Sequence, residues 1–412
     1  MKPITFVIPS RNNLDLLKLC YKSIKDLGND HHILVLDDAS EDGTKEWLHL
    51  HKHRPNIVGQ DKSWKEKQED KLHVYTNPGP ERVGIVGMFD KGIEMAPTDI
   101  IFAFHADMVA GVNLDVNILQ WLEKGKVVCA TRIEPPLHPE GPEKFLLDCG
   151  YEPEDFNNEK FQDKVKELTA RYGPKDSGHE RTSGIFAPWC MYKEDYLAVG
   201  GHDELFAPQS REDSDLFNRF LLKGYDLIQS WESFVYHFTS RGSRFNKYAG
   251  GDIGKDSPEW QMTNHKNMRN FIRKWGTMVQ HDEFMLPIVS PKYDIGFVVE
   301  NCSTELLAQL EPWCSDIYGD WVGHKGFGVN KYIEEEQKKT IINLSKKIHS
   351  QHTNPINDVV VRFDCNKLNN HYFQILVNLP KILKDSGEVG TMKLEIFDFE
   401  IKSLKTYERE LI

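Results

Sequence analysis

Four short apolar runs, three of them followed by a helical apolar face, fill the first hundred or so positions and constrain the fold more than any other feature. Ile4–Ile8, His32–Leu36, Leu72–Thr76 and Ile100–Phe104 read as strands. Ile4–Ile8 is a continuous run dominated by β-branched and aromatic residues, the pattern of a strand buried on both faces, and such strands belong to parallel sheets. Between the runs lie helical faces: Leu14, Leu17, Tyr21 and Ile24 before Gly28, then Trp47 and Leu50 after Thr44, then Val86, Phe89 and Ile93. Strand–helix alternation implies a parallel sheet with helices on both faces, and its functional loops lie at the carboxyl ends of the strands.

Beyond residue 120 the pattern loosens. Lys126–Ala130 is expected as a fifth strand, with helices near 158–172, 214–223 and 259–275, a strand at 232–238 and a polar Gly/Arg/Lys loop at 239–256. Met285–Pro291 reads as a linker. After it, strands are expected at Asp294–Val299, Asp358–Phe363 and Met392–Ile401, and helices near 304–316, 333–350 and 369–384. A chain of 412 residues has room for two such domains. The division expected is 1–284 and a smaller α/β domain at 285–412, the latter serving as a brace, an acceptor platform or an oligomer contact.

Composition excludes several classes. The net charge of −12 argues against non-specific binding to nucleic acid or anionic lipid. Apolar stretches such as Ile100–Phe104 are far too short to cross a bilayer, so no integral membrane segment is expected. Met1–Pro9 lacks the apolar stretch of a signal peptide, and the seven cysteines are scattered with no Cys-x-x-Cys. Reduced thiols and a cytoplasmic location, free or peripheral to a membrane, follow as expectations. A dinucleotide-binding dehydrogenase would need Gly-x-Gly-x-x-Gly after the first strand, where this chain has Pro9-Ser10-Arg11-Asn12-Asn13.

The chemistry sits at strand ends. Asp37 and Asp38 follow the second strand, and His105-Ala106-Asp107 follows the fourth. Acids ending two strands of one sheet make a negatively rimmed cleft, able to hold a divalent cation and to hydrogen-bond a ribose or a base edge. Taken singly, each Asp reads equally well as a turn or helix-capping residue.

Phe6-Val7-Ile8-Pro9-Ser10-Arg11-Asn12 and Val35-Leu36-Asp37-Asp38-Ala39-Ser40-Glu41-Asp42-Gly43-Thr44 resemble the opening motifs of the family 2 glycosyltransferases. His105-Ala106-Asp107 stands at the place of the family's Asp-x-Asp motif. Gly200-Gly201-His202-Asp203-Glu204 and Glu212-Asp213 are similar to its acceptor-side motifs. The resemblance spans about residues 3–275. It implies a GT-A (Rossmann-like) fold and an inverting, metal-dependent transfer of a hexosyl or N-acetylhexosaminyl group. The donor would be a nucleotide-diphosphate sugar, a UDP-sugar in the first instance, and the acceptor a glycan hydroxyl.

The resemblance also implies roles. Pro9, Ser10 and Arg11 would line the nucleotide, Asp38 would accept from the base, and Arg82 would replace a family arginine absent from Met88-Phe89-Asp90. Asp107 and His237 would hold Mn²⁺ or Mg²⁺. His105, in place of an acid, would bind that ion or donate to a ribose hydroxyl. Asp213, with Glu212 beside it, would be the catalytic base, and either Asp213 or Ser214 would cap the helix at 214–223. Arg241 and Arg244 would close over the diphosphate, and Trp189 would stack on an acceptor sugar, whereas Trp260 and Trp275 would pack in the core. A sugar-nucleotide pyrophosphorylase would need a Gly-rich Arg/Lys loop after the first strand, which is absent. The alternative reading is a non-catalytic nucleotide-sugar or carbohydrate-binding protein with a degenerate metal site.

Overall fold

The computed structural model describes residues 1–52, 71–172, 186–321 and 324–412. They fall into two compact units, residues 1–263 with 281–287 and residues 264–280 with 288–412.

In the first unit the expected alternation appears as β1 (Ile4–Ser10), α1 (Leu14–Lys25), β2 (His32–Asp37), α2 (Thr44–Lys52), β3 (Leu72–Thr76), α3 (Gly84–Met95) and β4 (Ile100–Ala103). Then come β5 (Met108–Ala110), α4 (Leu114–Gln120), β6 (Lys126–Glu134), β7 (Lys144–Leu146), α5 (Asn158–Tyr172), β8 (Trp189–Tyr192), α6 (Lys193–Ala198), α7 (Glu212–Lys223) and β9 (Asp226–His237). α8 (Pro258–Trp275) contributes residues to both units. The sheet order is β3-β2-β1-β4-β8-β6-β9-β5, with β7 on β6. β1 runs parallel to both β2 and β4, and β6 runs parallel to β9, while β8 is antiparallel to β4 and β6.

The two-residue period of a strand explains the layering. Phe6 and Ile8 join Leu17 and Cys20 of α1 in one apolar cluster, whereas Val7 joins Met88, Phe89 and Ile93 of α3 in another. Both faces of the sheet are therefore covered, and polar groups collect at its carboxyl edge. All seven cysteines are buried. Among the described residues no helix is long and apolar enough to cross a membrane.

The second unit contains β10 (Ile295–Glu300), α9 (Thr304–Leu310), β11 (Asp316–Gly319), α10 (His324–Gln337), α11 (Leu344–Lys347), β12 (Ile348–Ser350), β13 (Val359–Asp364), α12 (Asn370–Val377), α13 (Leu379–Ser386), β14 (Gly390–Leu394) and β15 (Phe397–Ile401). Its sheet order is β12-β11-β10-β13-β15-β14, with β15 antiparallel to both neighbours. Four expected elements differ, one of them the helix near 369–384, which is divided at Asn378 into α12 and α13. The helix expected to reach 316 becomes α9 and a single 3-10 turn containing Pro312, which cannot donate to a continuing helix. The segment 333–350 is divided among α10, α11 and β12. The long strand at 392–401 is a hairpin, folded at Glu395 with φ +54°.

Candidate active site

The carboxyl ends of β1 and β2 build the first wall. Ser10 lies opposite Asp37 in the parallel register, and the Asp38 N–H donates to the Ser10 carbonyl at 2.9 Å. Asp38 Oδ1 accepts from Asn77 Nδ2 at 2.8 Å and from the Val83 N–H at 2.9 Å, and Oδ2 accepts from the Gly84 N–H at 2.7 Å. Asp38 thus organises the entry to α3. Gly84 has φ +86°, and a Cβ there would come within 2.4 Å of the Pro208 backbone. Only glycine fits, and the fit joins this wall to the segment leading into α7.

That segment turns through two consecutive left-handed residues, Ser210 (φ +78°) and Arg211 (φ +71°), before α7 begins. The cap position is Arg211, not Asp213 or Ser214, so Glu212 and Asp213 occupy the first turn of the helix. Unpaired N–H groups and the helix dipole favour negative charge there. The Glu212 carboxyl is pushed up to about 8, by burial first and by Asp213 second. It keeps its proton at neutral pH, and its Oε2 is buried without a hydrogen-bond partner.

β4 delivers His105 and Asp107, and β9 delivers His237. Met108 pairs with His237 across the antiparallel β5–β9 ladder, which brings the two stretches together. Asp107 Oδ2 accepts from the N–H groups of Arg241 at 2.8 Å and Gly242 at 3.3 Å, and lies 3.7 Å from His237 Nε2. Ligand atoms of His105, Asp107 and His237 lie within 4.8 Å of one another. Burial opposes the Asp107 charge, but His237, His105 and the Gly242 N–H hold its carboxyl well below the usual range. Burial lowers His105 despite nearby Asp107 and Asp213, and its Nε2 is buried without a partner. Burial would also lower His237, but Asp107 and Glu134 outweigh it and raise the imidazole to about 9. One carboxylate, one neutral imidazole with an unpartnered nitrogen and one imidazole held between acids form a donor set that fits a divalent cation.

These walls enclose a cavity of about 200 Å³. Pro9, Ser10, Arg11, Asp38, Arg82, His105, Asp107, Glu212, Asp213 and His237 all line it. Arg82 Nη2 donates to Gln209 Oε1 at 3.1 Å and Nη1 to Glu259, while Nε lies 3.9 Å from Asp38 Oδ2. Arg11 Nη1 and Ser10 Oγ are buried without partners. Six non-glycine residues with left-handed backbone, Asn12, Ala39, Ser210, Arg211, Thr239 and Ser240, lie on the loops that carry these groups. Strained backbone of this kind concentrates where a ligand site imposes it.

Three sequence expectations place residues elsewhere. Trp189 is 1% exposed in the interior strand β8, stacked on Tyr196 and edge-to-face with Phe220, so it offers no face to a sugar. The Arg241 side chain donates to the Tyr151 carbonyl at 2.9 Å and pairs with Glu152 at 2.6 Å, away from the cavity. Arg244 is held by Asp256 at 2.9 and 3.2 Å and stands 4.4 Å above the Trp260 ring. The guanidinium groups that face the cavity are those of Arg11 and Arg82.

Trp260, expected in the core, lines the cavity instead, as do Gln209, Ser240 and Ser243. Their sequence signals were the Pro-Gln-Ser-Arg run before Glu212 and an aromatic just inside a helix that opens with Pro258.

Residues 5–147 match the family described as Glycosyl transferase family 2, and residues 151–241 match Chondroitin N-acetylgalactosaminyltransferase. Residues 5–147 are thus similar to the family 2 glycosyltransferases. The second match contains Glu212, Asp213 and His237, so the two matched segments together carry most of the cavity lining, with Gly242, Ser243 and Trp260 beyond them. No curated protein sequence matches the chain. Among solved structures, similarity extends to GalNAc-T7 with UDP, GalNAc and Mn²⁺, at 13% identity and a TM-score of 0.44, covering 67% of this chain and 48% of that one. It extends also to the mannosyltransferase PcManGT of Pyrobaculum calidifontis with GDP-Man and Mn²⁺, at 15% identity and a TM-score of 0.40, covering 66% and 64%. TarS of S. aureus is similar at 12% identity and a TM-score of 0.38, covering 58% and 37%. The chain thus spans about half the length of the GalNAc-T7 structure.

Proposed function

We propose that this chain transfers a sugar from a nucleotide-diphosphate donor to a hydroxyl of a glycan acceptor, with inversion at the anomeric carbon. One observation carries the reading: the carboxyls of Glu212 and Asp213 and the His105–Asp107–His237 cluster line the same cavity as the ends of β1 and β2.

Residues 1–284 do the catalytic work in this reading, and 285–412 serve as an accessory domain. Pro9, Ser10 and Arg11 support the nucleotide. A carboxylate has about four lone-pair positions, and three donors already hold Asp38, so one position remains for a base N–H. The unpartnered nitrogens of Arg11 and Arg82 meet the oxygens of the nucleotide. Asp107, with His105 and His237, would hold the cation, and two imidazoles favour Mn²⁺ over Mg²⁺. Bound there, the ion supplies Lewis-acid neutralisation of the diphosphate's charge.

Asp213 takes the proton of the acceptor hydroxyl as that oxygen bonds to the anomeric carbon and the bond to the diphosphate oxygen breaks. Attack from the face opposite the leaving group inverts the configuration. Burial and the neighbouring Asp213 bias Glu212 towards its protonated form, which leaves Asp213 as the base.

Calorimetric titration of UDP and GDP, with and without Mn²⁺, tests the donor reading. Binding that strengthens with Mn²⁺ in the wild type and loses that dependence in Asp107→Ala is the expected result. Unchanged Mn²⁺ dependence in the variant refutes the seat, and binding without any donor hydrolysis or transfer leaves a nucleotide-sugar binding protein instead.

A further inference from the structure

The three residues able to hold the cation are not the only part of that site the chain builds. β6 and β9 run parallel with Ile133 opposite Tyr236, so the next residue of each strand, Glu134 and His237, arrive side by side. His237 Nδ1 and Glu134 Oε1 are 2.7 Å apart, and both residues are buried, Glu134 to 2% exposure. An ionised carboxylate can only accept, so Nδ1 carries a proton and donates it to Glu134. The other ring nitrogen, Nε2, is thereby the one left facing Asp107, 3.7 Å away.

Glu134 is held in its turn. Arg132 Nε and Lys144 Nζ each approach it to 3.2 Å. Those two cations have a second carboxylate, since Glu143 lies 3.2 Å from Arg132 and 3.4 Å from Lys144. Arg132 and Lys144 are balanced by Glu134 and Glu143 together, and of these two acids Glu134 is the one placed against His237.

We propose that Glu134 is a positioning residue for the cation seat: it fixes the His237 ring with its proton on Nδ1 and turns Nε2 towards Asp107 and His105. The proposal rests on the reading of His105, Asp107 and His237 as that seat. A metal-binding imidazole held by a carboxylate on its far nitrogen is both oriented and made a stronger donor, and loss of such a partner typically costs about 10–100-fold in metal affinity. Glu134 touches neither ion nor substrate.

The test titrates Mn²⁺ into the full chain, with and without UDP, and follows the electron paramagnetic resonance signal of the free ion. Three variants are compared with the wild type: Glu134→Ala, Glu134→Gln and, as the control on the same cluster, Glu143→Gln. Glu134→Ala is expected to weaken Mn²⁺ binding by about 10–100-fold. Glu134→Gln, whose amide oxygen can still accept from Nδ1, is expected to recover part of that loss. Glu143→Gln should bind Mn²⁺ like the wild type.

Wild-type affinity in Glu134→Ala overturns the proposal, as does an equal loss in Glu143→Gln, which would trace the effect to the cluster as a whole. If Glu134→Ala does not fold, Glu134→Gln decides: full wild-type affinity at a weaker acceptor, or no better affinity than the unfolded variant in a protein that melts normally, counts against it. Absence of Mn²⁺ binding in the wild type itself refutes the underlying reading of the seat, an outcome distinct from the other two.

Discussion

The two units share the arrangement of their first four strands, yet their strand ends are used in opposite ways. In the first unit the order β3-β2-β1-β4 places Ser10, Arg11, Asp38, His105 and Asp107 at one edge. In the second, β12-β11-β10-β13 places Asn301 and Asp364 there. Asn301 Nδ2 donates to Asp364 Oδ1 at 2.9 Å, that same oxygen accepts from the Asn366 N–H at 3.0 Å, and Ser303 caps α9. Those groups satisfy one another. Among the described residues, every buried side-chain polar atom without a partner lies in the first unit except Asp320 Oδ1, and several of them face its cavity. A common topology therefore does not assign function. What distinguishes the units is how many strand-end groups are left over: several in the first, and Asp320 Oδ1 among the described residues of the second.

Buried charge tells the same story. In the second unit Glu311 accepts from Arg273 at 2.7–3.1 Å, from Lys347 at 2.7 Å, from Tyr332 at 2.9 Å and from Arg269 at 3.4 Å. The network is closed, so its acid contributes to stability. In the first unit Asp38, Asp107, Glu212 and Asp213 line the cavity instead, and in the proposed reading they serve the ligand and the reaction.

The largest test of this contrast is Asp213→Asn. Transfer should fall by about 10²–10⁴-fold, the range for loss of a general base, with nucleotide binding and melting temperature unchanged. Retained turnover, or a loss of donor binding of similar size, breaks the comparison. Next is Glu311→Ala, which leaves Arg273 and Lys347 buried without their main partner and should cost about 3–5 kcal/mol of unfolding free energy by denaturant titration. Its nucleotide affinity should stay at the wild-type value under native conditions.

Gly84→Ala sharpens the comparison within the first unit. A methyl at φ +86° that also meets the Pro208 backbone should cost about 1–3 kcal/mol and weaken nucleotide binding, because the turn held by Asp38 must shift. The smallest effect is a pH dependence at Glu212. Below its unfolded value of 4.5 the group is protonated in both states and stability is complete. As pH rises from 4.5 towards about 8 the unfolded chain releases the proton first, so stability is progressively lost. Glu212→Gln removes this liability: its melting temperature should match the wild type near pH 4 and exceed it at pH 8.5. Parallel curves would show that Glu212 ionises normally.

The parallel half of the first sheet was legible because its strands are continuous apolar runs that alternate with helical faces, β1 being β-branched or aromatic from Ile4 to Ile8. β5, β7, β8, β11 and β12 have three or four residues each, too few for a period to show. That is why Trp189 read as an exposed aromatic: nothing local in its sequence says that β8 lies between β4 and β6. Asp38, Asp107 and Glu212-Asp213 were legible through motifs that keep their order along the chain. Arg241 and Arg244 were not, because their side-chain directions depend on Glu152 and Asp256, partners that no motif announces. Glu134 was invisible for a similar reason, since its meaning comes from the register of β6 on β9.

The contact between Gly84 and Pro208 also bears on how such a protein can diversify. It is a shared joint: the loop before α3 and the lead-in to the acidic helix turn are fitted to each other at one point with no room for a side chain. A lineage that altered its donor by reshaping the first loop would displace the acceptor-side acids with it. Changes of ligand should therefore accumulate at Ser243 and Trp260, which border the cavity from other segments, while position 84 stays fixed.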